Sequence, residues 1–178
     1  MKLDERSYEP SEEANEDVLR EAYYKLGQLS TSFAEMEEGV HGIISGLISD
    51  DEIIASYLID KNGLDQNLQL LRKINEYKEF EVAKVKNVVD AIENVKGKRN
   101  ELIHGVWSVR IIKSDNTPMI FVGSYKMVRI DTVIKGKKGW ASKTFKAYKF
   151  NEISETIETI KLVIENLKEL TNILHNLS

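Results

Sequence analysis

The chain has 178 residues, a formal net charge of −4, 42% hydrophobic and 30% charged residues, and no cysteine. This length suits one domain with a real core and the composition excludes a disordered chain, while the lack of cysteine excludes a disulfide scaffold, a thiolate metal site and a cysteine nucleophile and fits a reducing compartment. No apolar run approaches the roughly 18 residues of a membrane span, and MKLDERSYEPSEEANED has no signal-peptide-like apolar stretch, so a soluble, cytoplasmic protein with no membrane partner is expected.

Residues 1–11 read as an acidic, flexible N-terminus and 12–178 as a single domain. Ser11 followed by Glu12 and Glu13 is a helix start signal, a hydroxyl cap with early acids. Leu19, Ala22, Leu26, Leu29, Phe33, Met36, Val40, Ile43 and Leu47 then recur at alternating steps of three and four, which predicts one long amphipathic helix. Gly39, Gly42 and Gly46 each cost about 1 kcal/mol of helix propensity and make room for close packing. EIIASYLID reads as a short helical or irregular piece ended by the turn signal Lys61–Gly63. Leu64, Leu68, Leu71 and Ile74 predict a further helix, and Val82, Val85, Val89 and Ile92 the inward face of the next, beginning near Phe80. The last helix, over 151–177, has Ile153, Ile157, Ile160, Ile164, Leu167 and Leu174 on one face, widened by Val163, Leu170 and Ile173.

Between the last two helices, over 106–150, the apolar period changes to two. VWSVRIIK, MIFVGSYKMVRI and WASKTFKAYKF alternate and are rich in β-branched and aromatic residues, with turns at Ser114–Pro118 and Lys135–Gly139. The predicted fold is mainly α: an antiparallel bundle of four to five helices spanning 12–105 and 151–177, with a small antiparallel β-meander inserted before the last helix. Charge is unevenly spread. Lys96–Lys149 holds 13 Lys and Arg against Glu101, Asp115 and Asp131, a local balance of +10 inside a chain of net −4. Such a division suits either a basic face that meets a polyanion or a solvated hairpin that prefers lysine.

The stretch GKRNELIHGVW, Gly97–Trp107, carries the candidate chemistry. The inward register of its helix steps by seven through Val85 and Ile92 to Arg99, and the interleaved row through Val82 and Val89 reaches Lys96. A guanidinium there requires a carboxylate, a phosphate or a wet cleft. Asn100 and His104, four apart, share one helical side. Arg99 lies about 140° from His104 round the helix and is long enough to reach back to the imidazole. Gly105 reads as a helix C-cap, and the negative end of the helix dipole there suits a charged imidazole. Arginine matches phosphate oxygens and histidine transfers protons near neutral pH. The alternative is that Arg99 pairs with a buried Glu and His104 ends the helix.

Arg99-Asn100-Glu101-Leu102-Ile103-His104, followed by Gly105 and Trp107, resembles the signature of the HEPN superfamily, in particular its bacterial members that run from the histidine through Gly and Trp into a strand. The resemblance implies a HEPN-like bundle and a metal-independent, cofactor-free endoribonuclease, often a toxin or anti-phage effector. Two protomers would build one composite site, so a homodimer is implied, and an antitoxin or defence-system partner with it. It assigns phosphate binding to Arg99, proton transfer to His104 and orientation to Asn100. RNA would follow Lys96, Lys98, Lys137, Lys138 and Lys143 and stack on Trp140. His41, His104 and His175 are scattered without ligand spacing, so no metal site is expected. Val106 stands where toxins controlled by a nucleotidyltransferase antitoxin carry tyrosine, a departure from that branch. The runner-up reading is a HEPN-like module that binds RNA or a protein without cutting. A third is a coiled-coil-like assembly protein, suggested by the heptad run of the first helix.

Overall fold

The computed structural model describes residues 14–48, 52–112, 116–125 and 143–177. They form α1 (Glu16–Ile48), α2 (Glu52–Ile59), α3 (Leu64–Lys78), α4 (Val82–His104), β1 (Val106–Ile112), β2 (Thr117–Tyr125), β3 (Lys143–Lys149) and α5 (Phe150–His175). The protein is mainly helical, with a three-stranded antiparallel sheet in the order β1-β2-β3 placed before the last helix, as the change of period predicts. The chain divides into two compact units, Met1–Gln28 with Lys98–Glu155 and Leu29–Gly97 with Thr156–Ser178, so α1, α4 and α5 each supply residues to both. Among the described residues no helix is long and apolar enough to cross a membrane.

In the unit of Leu29–Gly97 and Thr156–Ser178, the stripes read from the periodicity are buried: Leu29, Phe33, Met36, Val40 and Ile43 of α1, and Ile157, Ile160, Ile164 and Leu167 of α5. Of the glycines Gly39, Gly42 and Gly46 of α1, two meet α5 at close range. A Cβ on Gly39 would stand 3.1 Å from the Leu167 side chain and one on Gly46 would overlap Leu174, whereas Gly42 faces open space. On α4 the buried residues are Val85, Val88, Val89, Ile92 and Val95, but Val82 is 47% exposed, which corrects its expected inward position. It is the first residue of α4, and the chain enters through Glu79 and Glu81 at positive φ on either side of buried Phe80. The apolar anchor at this entry is therefore Phe80.

The sequence pattern also hid polar residues in this unit. Asn67 is fully buried and satisfied: its amide lies 2.8 Å from His41 Nε2, and its Oδ1 accepts from Asn62 at 3.1 Å. Arg72 of α3 grips Glu93 of α4 with two parallel bonds of 3.0 Å and reaches Asp90 at 3.3 Å, the fork-on-carboxylate geometry that suits arginine. α2 is a regular helix that buries Ala55 and Ile59 and leaves Ile53, Ile54, Tyr57 and Leu58 exposed.

In the unit of Met1–Gln28 and Lys98–Glu155, α1 is capped by Asn15, whose Oδ1 accepts from the Val18 amide at 3.0 Å. Ser11, the expected cap, lies outside the described residues. Ala22 and Leu26 are buried. The strand register aligns Trp107 with Val122 and Lys146, and Val109 with Ile120 and Tyr148. Val109, Ile120, Val122 and Tyr148 are buried on this face, whereas on the other Val106 is 70% exposed and Met119 is buried, so the sheet is covered mainly on one side. Asn116, at positive φ, directly precedes β2; residues 113–115 and Lys135–Gly139 lie outside the described residues.

Truncation at the two registers is expected to behave oppositely. Phe33→Ala should cost about 3–5 kcal/mol as a cavity in a packed core, whereas Val82→Ala should stay within about 0.5 kcal/mol, both read by urea denaturation.

Candidate active site

α4 ends at His104, and the residues around its last turn face three sides. Successive residues turn by about 100°, so Glu101 and Gly105 share one side, Leu102 another, and Asn100 and His104 a third. The sheet takes the first of these. The Glu101 carboxylate accepts hydrogen bonds from the Lys146 ammonium and the Tyr148 hydroxyl, both on β3. A Cβ on Gly105 would stand 2.2 Å from Val122 of β2 and 2.6 Å from the Glu101 carbonyl oxygen. Leu102 is fully buried. The third side, Asn100 and His104, is left exposed.

Arg99 joins them. Its guanidinium donates from Nη1 to Asn100 Oδ1 at 3.0 Å, and the same nitrogen lies 3.3 Å from His104 Nε2. The side chain is half-buried, and its Nε is shut off from solvent. Arginine has donors and no acceptor, so its contact with His104 is a hydrogen bond only when Nε2 carries a lone pair and the ring proton sits on Nδ1. One cation, one amide and one imidazole nitrogen thus converge on a solvent-facing point. The arrangement can bind a phosphate oxygen and move a proton beside it.

Gly105 does not adopt the left-handed conformation of a glycine C-cap. It continues the helical pattern, its amide donating to the Glu101 carbonyl at 3.0 Å. The expected C-cap is corrected: glycine is required by space, because the helix end approaches β2 more closely than a side chain permits.

The expected RNA-contacting residues are placed unevenly. Lys96 forms an ion pair with Asp65 of α3. Lys98 is half-buried. Lys143 is the first residue of β3, and Lys137, Lys138 and Trp140 lie outside the described residues. Among the described residues no three His, Asp or Glu side chains gather as metal ligands. Arg110 and Phe121, on the exposed face of the sheet, form a cation–π contact with the guanidinium 5.8 Å from the ring centre.

Sequence reasoning passed over Glu101. Its signal was present: it is one of three acids among Lys96–Lys149, and an acid isolated among cations is where an ion pair is expected to form. It also passed over Tyr23 of α1, which meets Trp107 edge to face with ring centres 5.4 Å apart. The chain matches no family model, no curated protein and no solved structure.

Burial, and then the hydrogen bond to Glu101, push the Tyr148 hydroxyl above the usual tyrosine range. A phenol whose folded value is raised contributes stability that is intact below about pH 10, the unfolded value, and is lost as pH climbs above it. Tyr148→Phe is therefore expected to lower stability by about 1 kcal/mol at neutral pH and to show a shallower loss above pH 10, followed by denaturant titration across pH. Gly105→Ala should cost about 1–3 kcal/mol, the penalty of overpacking against unyielding backbone, measured the same way.

Proposed function

We propose that the protein is a metal-independent endoribonuclease of HEPN type, with Arg99, Asn100 and His104 as its catalytic residues. The observation that supports this best is the convergence of Asn100 Oδ1 and His104 Nε2 on one guanidinium nitrogen, at 3.0 and 3.3 Å. The order of residues from Arg99 to Trp107 adds the family resemblance.

In this reading Arg99 leaves the imidazole when RNA binds and takes the non-bridging oxygens of the scissile phosphate. That movement frees the Nε2 lone pair. The ribose 2′-oxygen attacks phosphorus as its proton passes to Nε2, the bond to the 5′-oxygen breaks, and a proton delivered to that oxygen completes the step, leaving a 2′,3′-cyclic phosphate. Asn100 holds the guanidinium or the imidazole in line. Charge on the five-coordinate phosphorus is met by Arg99, the stabilisation on which such sites chiefly depend. One imidazole starts a turnover as base or as acid, so a homodimer that brings two copies of the motif helix together would divide the two roles between two copies of His104. The biological setting consistent with this is a cytoplasmic toxin or anti-phage effector, with an antitoxin or defence-system partner.

The test is cleavage of mixed tRNA and messenger RNA by the purified protein in excess EDTA, with analysis of product ends. Wild type is expected to cut and leave cyclic phosphate, while His104→Ala loses about 100-fold or more, the usual range for a removed general acid or base, and Arg99→Ala loses at least as much. Retention of RNA without cutting would favour the alternative, a non-catalytic HEPN-like binding module. Equal cutting by all three proteins would place the activity elsewhere.

A further inference from the structure

We infer that Tyr23 and Trp107 form a stacking subsite for one base of single-stranded RNA held at Arg99 and His104; the identity of the ligand rests on the ribonuclease reading above. Tyr23 lies on α1 beside buried Ala22, yet it is 61% exposed, and its neighbour Tyr24 is 64% exposed. A core tyrosine would be covered. Tyr23 instead meets Trp107 at an interplanar angle of 65° with ring centres 5.4 Å apart, an edge-to-face contact that orients both rings while leaving much of Tyr23 open to solvent. Trp107 is itself half-buried, and its strand neighbours Val109 and Val122 are buried beneath the same face. The platform is therefore stiff on one side and wet on the other.

Its position in the chain couples it to the motif. Trp107 follows His104 by three residues, so the two Cα atoms are at most about 11 Å apart. That separation brings the pair near enough to the motif to take a base that flanks a phosphate gripped by Arg99. Aromatic faces accept any base, and each stacked base contributes enough affinity to be read by substitution. A polymer bound at its phosphate by an arginine and at its base by an adjacent aromatic pair is a single-stranded nucleic acid.

Trp107 provides the readout. The chain has two tryptophans, Trp107 and Trp140, so Trp140→Phe, which keeps an aromatic ring for stacking at that position, leaves tryptophan emission from Trp107 alone. The probe is a 2′-O-methyl oligoribonucleotide, which cannot be cut by attack of the 2′-oxygen. Saturable quenching of Trp107 is expected. Tyr23→Ala in this background should weaken the apparent Kd about tenfold, the range set by base–aromatic stacking. Tyr23→Phe should restore it, and Tyr77→Ala, 86% exposed on α3, should leave it unchanged. Circular dichroism and thermal melting check that each variant is folded.

No quenching, or the same Kd for Tyr23→Ala and Tyr77→Ala, would overturn the subsite and make the pair a packing contact, while cleavage lost in Arg99→Ala and His104→Ala would still stand. Quenching weakened by Tyr23→Ala in a protein that never cuts RNA would uphold the subsite and overturn the nuclease. The two failures are thus distinguishable.

Discussion

The end of α4 lies so close to β2 that Gly105 has no room for a side chain, with Val122 at 2.2 Å and the Glu101 carbonyl at 2.6 Å from where a Cβ would stand. Much of the candidate site follows from that approach. Once the Gly105 side of the last turn is pressed to the sheet, Glu101, four residues earlier on the same side, comes within reach of Lys146 and Tyr148 on β3. Leu102 turns into the core. The remaining side, carrying Asn100 and His104, is left to solvent by helical geometry. The polar face of the motif is thus a consequence of which face the sheet has claimed.

The energetics have the same division. Leu102, Val122 and Tyr148 are buried and supply apolar stabilisation, together with the hydrogen bond that a buried phenol needs. Lys146 is 60% exposed, so its pairing with Glu101 contributes little to stability and more to the direction in which the carboxylate points. Arg99 is half-buried with its head against Asn100 and His104.

Charge counting along the chain overstates the cation available to RNA. The excess of +10 over Lys96–Lys149 already sets Lys146 against Glu101, but it still includes Lys96, which is tied to Asp65 outside that stretch. A count adds formal charges, while the field at a surface depends on which are neutralised across elements distant in sequence. The aromatic contribution shifts in the same way. The expected stacking residue Trp140 lies outside the described residues, whereas Trp107, inside the motif itself, acquires a ring partner from α1.

What the sequence by itself determined is what local periodicity encodes. The steps of three and four from Ala22 to Leu47 and from Ile153 to Leu167 specify helices and their buried stripes, because a residue's side of a helix depends on its number alone. The change to period two placed the sheet, and the spacing of Asn100 and His104, with the length of arginine, placed the candidate triad. What only the tertiary structure decided is which partner each residue meets. Glu101 finds Tyr148, 47 residues away, and His41 finds Asn67. Val82 turns outward because Phe80 takes the core position at that helix entry, and Gly105 is needed for clearance under β2, not for a left-handed turn. These depend on distances between elements, which periodicity does not carry, since the same stripe can pack against any surface of matching shape.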